Sequence, residues 1–273
     1  MKREHFEGTY FKAVAKDGFS FAIIQSRSSI SGDGLQVILG EGSFDVLHPD
    51  SFQREGDLLR MDIAEKGLSM HGTLEIRDKH PLSHHAMGPF FLFSMECCHS
   101  VESMYHELWG TLSINGVVHE FSPGYGYIEG DSGKSFPNEY FWFNASGENY
   151  GVMIAYATIP FGPFRFKGLL GFLVADGKQH SFCTYSGAKV VSFSATHITI
   201  KKGRYQLSAS WDPFVGHSLK APVAGKMKRV IQEALRVEGH VELRKDGVLL
   251  WNVTDPFSSV EWMAGNELQN KKK

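Results

Sequence analysis

No stretch of this 273-residue chain is continuously apolar over the roughly 18 residues that a membrane-spanning helix needs. The opening Met1-Lys-Arg-Glu-His-Phe-Glu-Gly lacks the apolar core of a secretion signal, which predicts a chain that stays in the cytoplasm. There are three cysteines, Cys97, Cys98 and Cys183. An odd number with one adjacent pair makes a poor disulfide framework and predicts buried thiols in a reducing compartment. The formal net charge of -2 offers no field to draw in nucleic acid, so no nucleic-acid partner is expected. The absence of an integral membrane segment leaves peripheral access to a membrane open. Also missing are a Gly-x-Ser-x-Gly elbow, a P-loop ending after Gly124-Tyr-Gly126 and a His-Glu-x-x-His pattern. His80, His84 and His85 stand in a Pro- and Gly-rich loop with no cysteine partner, so no metal site is expected there. No repeat and no Pro- or Ser-rich linker divides the chain.

Aromatic residues are plentiful instead, with 21 Phe, 9 Tyr and 5 Trp, enough to fill a core and to line a cavity for an oily guest. Short apolar runs punctuated by Gly, Asp and Asn read as strands: 6–14, 19–24, 35–39, 58–63, 68–76, 90–99 and 104–114. Asn115-Gly116 signals a hairpin into 117–121. Further strands follow at 150–159, 169–174, 180–185, 190–200 and 205–211, with a closing hairpin over 241–253. One segment differs. Met227, Val230, Ile231 and Ala234 fall at helical spacing and predict a short helix over 226–235. The expected class is an all-β antiparallel barrel or sandwich, with two lobes over 1–135 and 136–273.

The densest chemistry lies between Gly124 and Asn144. On a strand, Tyr125, Tyr127, Glu129 and Asp131 project from one face. Tyr140, Trp142 and Asn144 do the same on the next strand, after a Gly-Lys-Ser-Phe-Pro turn. Carboxyl groups beside aromatic rings suit delivery of a proton and stabilisation of the cation that results. The rival reading takes Gly130-Asp-Ser-Gly133 as turn composition, with Asp131 capping a turn and the rings as ordinary core. Glu96 and His99 could reach the same cavity and orient a substrate hydroxyl or relay a proton.

The string Tyr127-Ile-Glu129-Gly-Asp131-Ser-Gly133-Lys-Ser-Phe136-Pro137-Asn-Glu-Tyr140-Phe-Trp142-Phe-Asn144 resembles the signature of the tocopherol cyclase-like family. Three flanking blocks resemble the family as well: His5 to Lys12, Leu219 to Met227 with Ile231 and Glu233, and Ala264-Gly265-Asn-Glu267. Where the family pattern has Lys, Trp, Trp and Gln, this chain has Gly130, Ser132, Tyr140 and Asn144, and Thr9 replaces the opening Trp. The resemblance implies a lipocalin-like β architecture related to carotenoid hydratase-like proteins. It implies a cyclase without cofactors that closes a prenylated hydroquinol into a chromanol.

Such closure needs an acid to protonate an alkene and a phenol oxygen to capture the tertiary cation. A carboxyl group donates near neutral pH only when burial or a second carboxylate raises its pKa. Asp131 is the preferred acid, with Glu129 as its modulator; the reverse assignment is nearly as good. Tyr127, Tyr140, Trp142, Asn144, His99 and Glu96 are the expected substrate-binding set. The expected partner is a hydrophobic small molecule and the expected cofactor is none. The alternatives are a binder of hydrophobic ligands without catalysis, a hydratase that adds water in place of the phenol, and an interaction protein.

Overall fold

The computed structural model describes residues 4–263. The first nine strands are β1 (Phe6–Val14), β2 (Ser20–Ser28), β3 (Gly32–Leu39), β4 (Gly42–Val46), β5 (Phe52–Glu55), β6 (Leu58–Glu65), β7 (Leu68–Arg77), β8 (Cys97–Ile114) and β9 (Val117–Gly133). They form one antiparallel sheet in the order β4-β3-β2-β1-β9-β8-β7-β6-β5. A second antiparallel sheet begins at β10 (Tyr140–Gly147), β11 (Tyr150–Phe161), β12 (Phe164–Ala175) and β13 (Lys178–Ser181). It continues with β14 (Lys189–Phe193), β15 (His197–Lys202), β16 (Tyr205–Trp211), β17 (His217–Val223), β18 (Lys226–Lys245) and β19 (Val248–Met263). Its order is β13-β12-β11-β10-β19-β18-β16-β15-β14, with β17 also on β18. The all-β, lipocalin-like expectation is borne out, and the two sheets divide the chain between Gly133 and Tyr140.

Alternation along each strand sorts side chains into three cores. Phe11 and Ala13 of β1 and Ile128 of β9 enter the interior of the first sheet. Phe141, Phe143 and Ala145 of β10 enter the interior of the second. The intervening residues Tyr10, Tyr127 and Trp142 face outward from their own sheets and meet in a third cluster, which joins the two. The seam between the sheets is therefore lined by even positions of β1 and β10 and by odd positions near the end of β9. In this chain Tyr10, Lys12, Tyr127, Glu129, Asp131, Tyr140 and Asn144 bring polar groups to those positions.

The seam is close-packed elsewhere. Gly151 of β11 sits against β8, where an added Cβ would lie 2.2 Å from the Met104 carbonyl oxygen. Backbone on one side and a paired strand on the other leave no room to relax. Gly151→Ala is expected to destabilise the protein by about 1–3 kcal/mol. A urea midpoint equal to that of the parent would show that the sheets can separate at no cost.

Two local expectations are corrected. No helix forms over 226–235, because β18 runs through that segment and pairs with β17 and then β16 along one edge and with β19 on the other. Met227, Arg229, Ile231 and Glu233 point inward in strict alternation, while Val230 is exposed. Arg229 and Glu233 occupy inward positions that a plain core strand would fill with apolar residues, so the period-2 pattern was masked. A bulge between Ala234 and Val237, with Arg236 at a φ of 61°, then buries Ala234 and Leu235 in succession. Likewise 90–99 is not a buried strand. Gly88–Leu92 is a 3-10 turn, and strand structure begins only at Cys97.

Candidate functional site

β9 runs extended to Gly133, so Asp131 belongs to a strand and not to a turn. It pairs with His99 of β8 on one side and with Gly8 of β1 on the other. Glu129, two residues earlier on the same face, is buried. Across the seam β10 supplies Tyr140 and Trp142. The tyrosine–glutamate–aspartate row and the tyrosine–tryptophan row thus meet face to face.

Three buried glutamates each receive a phenol. Tyr127 donates to Glu129 Oε2 at 2.5 Å, Tyr10 donates to Glu233 Oε1 at 2.6 Å, and Tyr140 donates to Glu261 Oε1. Trp142 Nε1 adds a second donor to Glu129 Oε2 at 3.0 Å. Burial costs the charged form of a carboxyl group, and each neighbouring carboxylate adds repulsion. Glu129 is pushed up to about 7 by burial, against the pull of His99 and with the push of Asp131. Burial pushes Glu233 up to about 8, and Glu261 is held well above the usual carboxylate range by burial and by Glu233.

His99 lies between two of these acids. Its Nδ1 is 3.0 Å from Asp131 Oδ1, and its Nε2 is 3.4 Å from Glu129 Oε2. Burial works to strip its charge, but Asp131 and then Glu129 overcome that and raise it to about 9. At neutral pH the ring is an imidazolium held inside protein. Among the described residues Nε2 has no aligned hydrogen-bond partner, so its buried N–H is held only by the nearby charge of Glu129. Cys97 Sγ also donates to Asp131 Oδ1 at 3.4 Å, and burial pushes this thiol up, which keeps it un-ionised.

An apolar cavity of about 130 Å³ opens beside this cluster. His99, Glu129, Asp131, Tyr140, Trp142 and Glu261 form its polar end; Phe90, Met95, Phe166 and Leu170 are among its apolar walls. A second cavity of about 70 Å³ lies on the other side, with Tyr10 and Glu233 in its wall. Glu129, Asp131, Phe136 and Glu261 border both, so the acids are the partition.

His99, Glu129 and Asp131 offer ligand atoms within 4.8 Å of one another. The two carboxylates address different nitrogens of the ring, and a single ion on one nitrogen would require a carboxylate to turn away from its present contact. The arrangement suits proton transfer better than coordination.

Five of the expected residues, Asp131, Glu129, Tyr140, Trp142 and His99, line the cavity together. Tyr127 is fully buried one layer behind, on Glu129. Asn144 is also buried but belongs to a neighbouring network: it accepts from Lys12 Nζ at 3.0 Å and donates to the Val152 carbonyl at 3.1 Å. Burial lowers Lys12 to about 8. The Glu96 side chain stands apart from the cavity wall, and its backbone carbonyl accepts from Lys134 N. His106 faces the first core against Gly126, and burial drives its pKa down to about 3, so it stays neutral.

Tyr10, Glu233 and Glu261 were not singled out as site residues from the sequence. A signal existed for two of them. Tyr10 lies in the block His5 to Lys12, and Glu233 closes the block that begins at Leu219; both blocks carried the family resemblance. The third block, Ala264 to Glu267, lies outside the described residues.

No protein-family model and no curated protein matches the sequence. Solved structures do match the fold. Kievitone hydratase from Nectria haematococca superposes with a TM-score of 0.57 at 8% identity, covering 94% of this chain and 88% of its own. A protein provisionally named AttH from Nitrosomonas europaea gives 0.54 at 13%, covering 95% and 92%. CghA, solved with Sch210972, gives 0.60 at 11%, covering 95% and 88%. At such identities the likeness is one of architecture, and the two-sheet lipocalin-like fold is what this chain shares with them.

Proposed function

We propose that the chain is an enzyme that protonates an unsaturated, hydrophobic small molecule in the seam between its two sheets and lets an internal oxygen capture the cation, in the manner of a tocopherol cyclase-like protein. The observation that carries this reading is a carboxyl group held near neutrality, Glu129, in the wall of an apolar cavity and beside a buried imidazolium.

Glu129 is the proton donor in this reading. Its Oε2 is already engaged by Tyr127 and Trp142, so the transferable proton belongs on Oε1. Asp131 holds His99 by Nδ1, and the charged ring stabilises the carboxylate that Glu129 becomes when the proton leaves. Tyr140 and Trp142 face the cation with their rings, each worth about 2 kcal/mol when water is excluded. Addition of the proton to one alkene carbon leaves a cation on the other; a ring C–O bond then forms there, and the phenol proton returns to the acid. The atoms balance and no redox partner is needed.

Cavity size narrows the guest. An apolar cavity of about 150 Å³ accommodates a benzene molecule. The cavity here, about 130 Å³, holds one isoprenoid end or one ring, so a longer guest would extend out of it past wall residues such as Phe90 and Phe166.

Hydration is the second reading, favoured by the fold shared with kievitone hydratase and by the cavity beyond the acids, where a water could wait. One experiment separates the two. The protein is incubated with a set of prenylated phenols and the products are weighed by mass spectrometry. A product isomeric with its substrate supports cyclisation, and one heavier by a water supports hydration. Unchanged substrates that are nevertheless retained on the protein would reduce it to a binder.

A further inference from the structure

The sequence 91–93, Phe-Leu-Phe, is exposed as three consecutive large apolar side chains, at 50%, 73% and 55%. Runs of this kind have no structural use on a water-facing surface and mark a site of contact. Their place is informative. Phe91 and Leu92 end the 3-10 turn Gly88–Leu92, whose Phe90 is in the cavity wall, and Phe93 follows it. Phe90 lies 6.3 Å from Phe93 and 6.0 Å from Phe166, ring centre to ring centre. Phe166 also lines the cavity, and Phe164, two residues along the same face of β12, is 72% exposed at the hairpin tip. Two separate segments therefore present exposed aromatic side chains beside residues of one cavity wall.

The alternate residues of β12, Arg165 and Lys167, are exposed and basic on the opposite face of the strand. Lys167 pairs with Glu139 at 3.3 Å, and Arg165 sits in the field of Glu96. Aromatic tips flanked by long cationic side chains match the interface of a bilayer, with rings at acyl depth and cations at the headgroups.

We propose that the face formed by Phe91, Leu92, Phe93 and Phe164 docks on a lipid surface, so that the cavity mouth opens onto the membrane from which an oily guest enters. The guest's identity rests on the functional reading above; the docking itself is measured without turnover.

The test is co-sedimentation of the full chain with vesicles of phosphatidylcholine, alone or with about 30% phosphatidylglycerol. The parent protein is expected in the pellet, with more bound to the anionic vesicles. Substituting Phe91→Ser, Leu92→Ser and Phe93→Ser together should lower the bound fraction by about tenfold or more. Circular dichroism checks that this variant is folded, and Phe164→Ser alone serves if it is not. Val248, Leu249 and Leu250 supply the control. They are exposed at 64%, 43% and 50% on the far hairpin, twelve residues along β19 from Glu261, or roughly 40 Å. Serines there should leave binding unchanged. Asp131→Asn should bind vesicles like the parent whether or not the catalytic reading survives. A parent protein that stays in the supernatant would overturn the proposal, as would equal loss in the control variant. So would a patch variant that only turns a dimer into a monomer in sedimentation velocity, since a second copy would then be the occupant.

Discussion

Glu129→Gln is expected to lower the rate of product formation by about a thousandfold while guest retention changes little. The amide keeps the shape of the acid, and its oxygen still accepts from Tyr127 and Trp142. What is lost is the proton. A carboxyl group with a pKa of about 7 holds it in about half of the molecules at neutral pH; an amide never does. The same assignment fixes a pH dependence. The reactive form is the protonated one, so the rate should fall as pH rises through about 7. Asp131→Asn should act differently. It removes the anchor of His99 Nδ1 and much of the charge that keeps the ring an imidazolium, so its effect should appear with an altered pH profile. Undiminished turnover in the glutamine variant, with the rate falling only for Asp131→Asn, would transfer the proton to Asp131. Undiminished turnover in both would remove the acids from the chemistry altogether.

The second large effect is on stability. Glu233 is raised by burial to about 8 in the folded protein, far above its ordinary value of 4.5. Between those values the native state holds a proton that the unfolded chain does not. Its contribution is complete below about 4.5 and is lost as pH rises through about 8. His99 acts in the same sense between 6.5 and about 9. His106, depressed to about 3, has the opposite sign, but its gain is essentially complete above 6.5. Lys12 is depressed from 10.5 to about 8, so its opposing gain accrues only above about 8. From about pH 7 to 8 the protein should therefore lose thermal stability, by about 2–4 °C in Tm for each kcal/mol. Glu233→Gln carries no titrating proton and can still accept from Tyr10. Its Tm should fall less steeply across that range and exceed the parent's at the alkaline end. Parallel curves for the two proteins would show that Glu233 is ionised in the native state, and that the buried cluster holds less proton than its geometry implies.

Much of this site could be read before any fold was known. Residues two apart on a strand share a face whatever the strand packs against, so Tyr127, Glu129 and Asp131 belonged together, as did Tyr140 and Trp142. Their mutual approach was not legible, because it depends on two sheets meeting across a seam. Glu233 shows why. It sits on an inward position of β18, and its polarity hides the strand's alternation, so the residue most buried among the acids lies in the segment where spacing predicts a helix and a strand forms. Phe91 to Phe93 show the converse. Their apolar character suggests a buried strand, yet the Gly88-Pro89 turn places them in solvent, next in sequence to Phe90 of the cavity wall.

Alternation, turn residues and aromatic content were enough by themselves to determine an all-β chain with acids and rings on common faces, because those signals act within one strand or hairpin. Only the tertiary structure decided that three glutamates from different strands gather in one buried cluster, that an imidazolium lies between two acids, and that a cavity opens beside them. Those outcomes depend on which strands pair and on which sheet faces lose water against each other, and they join residues as distant in sequence as Tyr10 and Glu233.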